Sequence, residues 1–235
     1  AILRFNGSSW SSMSSGTSQT LNGVWTSGSS GFAVGTNGEI VRWNGSSWSR
    51  VTSGTTETLY GVHAISASDA VAVGAIGTVL RWNGTAWVRV NSSAIGSDIY
   101  NVAGSTANSN RYYLTTDNGL YSLNNTTIAT VTTPYAPRLF GIAIDGAGNV
   151  WTSGQRGSVM RLGSTWETVS LAPDLIDVWT TSPNNAWAVG EFGFVYRWNG
   201  SAWSRQTTPS TGTLNTVWGA SSTEAFAGGD NGLVM

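Results

Sequence analysis

The chain of 235 residues has no cysteine and only one histidine. The first absence removes disulfide frameworks, thiolate metal sites and cysteine nucleophiles together, so packing must hold the fold. Lysine is missing too: all eleven basic residues are arginine, set against twelve acidic ones for a net charge of -1. With only 10% of residues charged, there is no basic stripe to drive counterion release, and nucleic acid is not an expected partner. No apolar run approaches the ~20 residues that span a bilayer, so membrane insertion is not expected either. Nor does any window carry the i, i+3, i+4, i+7 apolar spacing of a helix at length.

What is present is repetition. Arg42-Trp43-Asn44-Gly45-Ser46-Ser47-Trp48 returns as Arg81-Trp82-Asn83-Gly84-Thr85-Ala86-Trp87, as Arg197-Trp198-Asn199-Gly200-Ser201-Ala202-Trp203, and as Arg4-Phe5-Asn6-Gly7-Ser8-Ser9-Trp10. Worn copies occupy Tyr121–Asn125 and Arg161–Trp166. A second element, Leu21-Asn22-Gly23-Val24-Trp25 and its relatives, starts at positions 21, 59, 99, 139, 175 and 214, which are 38, 40, 40, 36 and 39 apart. Between the two lies a short apolar run ending in Gly-x-x-Gly, as at Gly35–Gly38, Gly74–Gly77, Gly154–Gly157, Gly190–Gly193 and Gly229–Gly232; the copy at Thr116–Gly119 has lost its first glycine.

A period near 40 residues has the length of a propeller blade. Each unit reads as four short strands, in the first unit Leu21–Trp25, Phe32–Gly35, Glu39–Trp43 and Trp48–Thr52, rich in Val, Trp and Tyr and separated by Gly, Asn and Ser. The expected fold is therefore all-β, a six-bladed β-propeller of four-stranded antiparallel blades. Its single domain covers residues 1–235, with blades at about 21–58, 59–98, 99–138, 139–174, 175–213, and 214–235 with 1–20. The last blade would be composite: Ala1–Trp10 supplies its third and fourth strands and Leu214–Gly229 its first two, closing the ring without an exposed end sheet. Leu233-Val234-Met235 aligns with Ala1-Ile2-Leu3, so two segments compete for one strand position. Because both ends fall inside a repeat and no leader is visible, the chain is expected to be a fragment or processed form, part of a larger chain or assembly.

Asn-Gly is a strong hairpin signal, since both residues tolerate positive φ. A four-residue loop Asn44–Ser47 would face Trp43 with Trp48, and likewise Trp82 with Trp87 and Trp198 with Trp203. These pairs would serve either as sugar-stacking platforms or as packing between neighbouring outer strands, and a repeat's own interfaces favour packing. The preceding Arg is expected over an aromatic face. Asn6, Asn44, Asn83, Asn91, Asn124, Asn125 and Asn199 head Asn-x-Ser/Thr triplets, which turn chemistry explains without glycans. His63 holds the position of Trp25, Trp179 and Trp218 and is expected as a packed aromatic rather than a metal ligand or catalytic base. Asp145-Gly146-Ala147-Gly148-Asn149 resembles the tight turns of NHL-type propellers and has too few oxygen ligands for calcium. No metal and no cofactor are expected.

The unit Leu-x-x-Val-Trp, Ala-Val-Gly-x-x-Gly, Arg-Trp-Asn-Gly-Ser-x-Trp resembles the propeller repeats of large secreted proteins of myxobacteria and other bacteria. It is more distantly similar to Asp-box propellers such as the photosystem II assembly factor and sialidases. Where the Asp-box hairpin carries its Asp, this chain carries Trp43, Trp82 and Trp198, and no sialidase arginine triad is present. The resemblance implies a blade and implies no glycosidase chemistry.

Function is expected where the repeat is broken, in loops on one face. The turns between second and third strands share a face with the connections between blades. They carry Thr36-Asn37, Ala75-Ile76, Asp117-Asn118, Gln155-Arg156, Glu191-Phe192 and Asp230-Asn231, and the connections add Glu57, Asp98, Arg138 and Asp174. The third unit has lost both hairpin Trp residues and gained Arg111-Tyr112-Tyr113 and Tyr135-Ala136-Pro137-Arg138. Candidate ligand-binding residues are Asp117, Tyr135, Arg138, Arg156, Glu191 and Asp230. The leading reading is a non-catalytic binding module of an extracellular or cell-surface protein, recognising a glycan in lectin-like fashion at one face of the ring. The alternatives are a scaffold docking protein partners, and a glycoside hydrolase or lyase using a carboxylate pair such as Asp117 and Glu191.

Overall fold

The computed structural model describes residues 1–108, 111–135, 137–219 and 221–235. Among these, every element is a strand or a single 3-10 turn. β1 (Ile2–Phe5) and β2 (Trp10–Met13) form a two-stranded sheet. Five four-stranded antiparallel sheets follow. They are β3 (Leu21–Ser27), β4 (Ser30–Gly35), β5 (Ile40–Trp43) and β6 (Trp48–Arg50); β7 (Leu59–Ser66), β8 (Asp69–Gly74), β9 (Val79–Trp82) and β10 (Trp87–Arg89); β11 (Ile99–Ser105), β12 (Arg111–Thr116), β13 (Gly119–Asn124) and β14 (Thr127–Val131); β15 (Leu139–Ile144), β16 (Val150–Gly154), β17 (Ser158–Leu162) and β18 (Trp166–Ser170); and β19 (Leu175–Ser182), β20 (Asn185–Gly190), β21 (Val195–Trp198) and β22 (Trp203–Gln206). β23 (Leu214–Gly219) and β24 (Ala225–Gly229) pair at the C-terminal end. The chain divides into two compact units, Ala1–Val102 and Ala103–Met235.

Burial runs across each sheet. The second strands β4 and β8 are buried at every residue but the first, and β4 meets a neighbour on each face, Phe32 and Val34 packing toward β7–β9 and Ala33 toward Ile2 and Met13, whereas the fourth strands β6 and β10 expose all but their leading Trp. The hairpin expectation holds in detail. Trp43 faces Trp48, Trp82 faces Trp87 and Trp198 faces Trp203 across their ladders, with ring centroids 5.5, 5.7 and 5.8 Å apart. In the loop only the glycine uses positive φ, 98° at Gly45. The asparagine works instead as an acceptor: Asn44 Oδ1 takes the N–H groups of Ser46 and Ser47 at 3.0 and 2.9 Å, a geometry repeated by Asn83 and Asn199.

At the C-terminal end, Leu233–Met235 adds to the last sheet. Met235 N–H donates to Ala227 O at 3.0 Å and Ala227 N–H to Met235 O at 2.9 Å, so Leu233–Met235 runs beside β24 as a third strand, and β1 pairs with β2 in a sheet of its own. The physical reason is apolar packing: Leu233 and Met235 lie against the buried cluster of Val189, Val195, Leu214, Val217 and Ala227.

Candidate functional site

The turns after the second strands follow one pattern. In the Ala103–Met235 unit, Gly154 is extended, and a Cβ there would lie 2.2 Å from Arg138 O; the next residue, Gln155, gives its N–H to that carbonyl at 3.0 Å. Arg156 then adopts φ 56°, ψ 33°, and Gly157 φ 64°. The bond from turn to inter-sheet connection recurs as Thr36 to Thr20, Ala75 to Thr58, Glu191 to Asp174 and Asp230 to Thr213, so within these five sheets the turn and the connection share a face.

Several acidic residues on that face are committed to holding it together. Asp98 Oδ1 accepts Ile76 N–H at 2.9 Å, and Asp174 Oδ1 accepts Arg156 N–H at 2.6 Å, each reaching back to the turn of the preceding sheet. Arg138 makes the reciprocal contact, an ion pair with Asp117 on the β12–β13 turn. Asp230 accepts the Asn215 amide at 2.8 Å. Of the candidate residues, then, Asp117, Arg138 and Asp230 have partners within the chain. Asp117 and Glu191 sit on turns of different sheets with β15–β18 packed between them.

Tyr135 and Arg156 are brought together. They line an open groove of about 540 Å³ with Pro137, Gln155, Ser158 and Val169. Tyr135 is 42% exposed, and its phenol pKa is raised by partial burial. Arg156 is exposed, and its guanidinium pairs with no carboxylate among the described residues. Ala136, within the same stretch, lies outside the described residues.

Two further residues of these variable turns stand outside the candidate list. Ile76 and Phe192 occupy the same left-handed turn position as Arg156, at φ 53° and 57°, and are 70% and 64% exposed. Asn37 and Asn231 fill it in two other turns. Asparagine visits this region readily, but a β-branched or bulky residue there is strained by about 1–2 kcal/mol. The alignment of Gly-x-x-Gly turns held the signal, since Asn at one position in two copies marks left-handed backbone.

No protein-family model matches the chain, and no curated protein matches it. Among solved structures it is similar to YCF48 bound to a D1 peptide, at 18% identity over 97% of this chain and 81% of that one, with a TM-score of 0.74. It is also similar to YCF48 from Cyanidioschyzon merolae, at 15% identity over 93% of this chain and 95% of that one, with a TM-score of 0.56. The fold is of the β-propeller type. At these identities the likeness concerns the fold alone.

Within that fold, four of the hairpin tryptophans are interior residues. Trp43, Trp48, Trp82 and Trp87 are 2–8% exposed, so these four offer no face on which a sugar ring could stack. The preceding arginines lie over rings as expected: Arg42 over Trp82, Arg161 over Trp151 and Arg197 over Trp187, each 5.1 Å from the centroid. Arg81 forms a 2.7 Å ion pair with Asp69. Asp145 is 2% exposed and accepts bonds from Ala147 N, Asn149 N, Asn149 Nδ2 and Trp151 Nε1, so it organises the 145–149 turn from inside.

Two titratable groups are displaced by burial. Asp177 on β19 is pushed up to about 6, although its carboxylate accepts bonds from Val178 N, Thr216 Oγ1 and Val217 N. His63 packs 5.5 Å from Trp25, and burial lowers it to about 4. Because protonation of His63 favours the unfolded chain, its cost is absent above pH 6.5 and grows as pH falls toward about 4. Asp177 runs oppositely: its contribution is full below pH 3.8 and is lost as pH rises through about 6. His63→Trp, which restores the residue found at the equivalent positions, should therefore gain stability over the wild type progressively as pH drops from 6.5 to 4, by about 2–3 kcal/mol. Paired urea titrations at several pH values measure that difference, and a pH-independent gap would defeat the assignment.

Proposed function

We propose that this chain is a non-catalytic propeller, its ring closed by strands from both ends, that docks a protein partner on the turn-bearing face of its sheets. The observation that carries the reading is the exposure of Ile76, Arg156 and Phe192 on rigid left-handed turns. A turn selected only for its own stability would carry Asn there, as at Asn37 and Asn231. Solvent-exposed apolar and cationic side chains kept at a conformational cost fit a contact surface. The groove beside Tyr135 and Arg156 supplies a recess next to such a turn. The fold likeness to a YCF48 structure holding a peptide supports a peptide-sized occupant. The composition, rich in Ser, Thr, Asn and Gly, supports placing the chain outside the cell or at its surface.

Peptides selected against the immobilised chain from a random display library, alongside a glycan array, test the proposal. Selected peptides should lose about tenfold or more in affinity to Arg156→Ala and to Phe192→Ser, an effect of the size expected for one contact residue. Melting temperatures should not fall. Capture of glycans with no peptide enriched, or peptide binding indifferent to both substitutions, would overturn it.

A further inference from the structure

The joint between β3–β6 and β7–β10 is a sealed aromatic cluster. Phe32 lies between Trp82 and Trp87, with centroids 5.4 and 5.0 Å away, and the three rings are 0%, 2% and 7% exposed. The Arg42 guanidinium covers the cluster, 6.0 Å from Phe32 and 5.1 Å from Trp82.

The joint between β15–β18 and β19–β22 repeats the layout with a different result. Trp151 lies 6.2 Å from Trp198 and 6.1 Å from Trp203, and is 1% exposed. Trp198 and Trp203, however, are only partly buried and border a cavity of about 330 Å³ whose far wall is Val169 and Leu171. The joints also differ opposite the arginine, where Arg42 pairs across the ladder with Ser49 but Arg161 with Glu167. The Glu167 carboxylate lies 3.2 Å from Arg161 Nη1, the Arg161 guanidinium stacks on Trp151, and no cation lies over Trp198 or Trp203 among the described residues. Glu167 itself remains 60% exposed at the cavity mouth.

We infer that this cavity binds a guanidinium group, presented as the arginine side chain of a protein partner. The chain's own repeats show which chemistry suits these rings, since Arg42, Arg161 and Arg197 each lie 5.1 Å from a Trp centroid. A planar cation entering the cavity would meet two indole faces without such a partner and a half-shared carboxylate beside them, the elements of a cation–π site. Val169 and Leu171 line the same cavity, and the low polarity of that wall strengthens the attraction. Arg161 opposes it, through like charge and through its hold on Glu167, and this gives the site a distinctive response to mutation. The inference rests on the docking reading only for the source of the guanidinium.

The test is titration of the full chain with N-acetyl-arginine amide, followed by indole N–H resonances. Saturable shifts of Trp198 and Trp203 are expected. Glu167→Gln, which leaves the packing in place, should weaken binding about fivefold, and Trp203→Ala should do the same with folding checked by melting. Arg161→Gln should tighten it by a similar factor, because it frees Glu167. Three outcomes would overturn the proposal: no saturation, Glu167→Gln binding unchanged, or indole bound as tightly as the arginine probe. Since the probe is used alone, failure here leaves docking at the turn face standing, and loss of peptide docking leaves this site standing.

Discussion

Trp82→Ala should destabilise the chain by about 3–5 kcal/mol, the range for truncating a fully buried aromatic that cannot be replaced by collapse of its surroundings. Trp82 is 2% exposed and touches three different elements of its unit. It packs on Trp87 across its own hairpin, on Phe32 of the neighbouring sheet, and under the Arg42 guanidinium. Its Nε1 also donates to Ala67 O at 3.2 Å. Removal of the ring opens a cavity in a cluster that includes Val34, Leu59, Ala72 and Leu80 and leaves the Ala67 carbonyl without that donor. Trp198→Ala, at the corresponding position bordering a part-open cavity, should cost distinctly less. Equal losses in urea unfolding would mean that the two joints are packed alike.

Gly157→Ala should be more damaging still, at about 4 kcal/mol or more, to the point where little folded protein is recovered. Two effects combine. The residue has φ 64°, and an added Cβ would lie 1.2 Å from Leu171 O and 1.9 Å from Leu171 C. Those atoms are backbone held by the Leu171 N–H to Gly157 O bond of 2.7 Å, so no side chain can swing aside. Gly54→Ala separates the two effects. Gly54 has φ 77°, and a Cβ added there would meet nothing within 4 Å, so only the conformational cost of about 1 kcal/mol applies. If the two variants proved equally stable, steric contact at the turn would not be the reason for its glycine.

The repeat made the strands legible, because period, hairpin chemistry and the alternation of Gly with apolar residues all pointed to the same four-stranded unit. The interior role of Trp43 and Trp82 followed from their recurrence. The site was less legible. Asp117 and Arg138 drew notice as charged departures from the repeat, yet they pair with each other across two sheets, a distance that sequence separation cannot supply. Asp98 and Asp174 looked like ordinary loop carboxylates, and only the three-dimensional register shows that they hold the backbone of the preceding turn. Phe192 and Ile76 were visible as letters but not as exposed side chains, since their direction depends on a left-handed φ.

The turns hold one more consequence. Their central residue is Asn, Ile, Arg, Phe or Asn, yet φ stays between 53° and 57° in all five. The flanking glycines and the bond to the inter-sheet carbonyl set the backbone, and the central side chain has no part in it. Each turn therefore behaves as a fixed socket with an interchangeable tip. On the proposed docking reading, partner preference is then open to rewriting one position at a time, with the scaffold bearing only a small and local change in stability at each step.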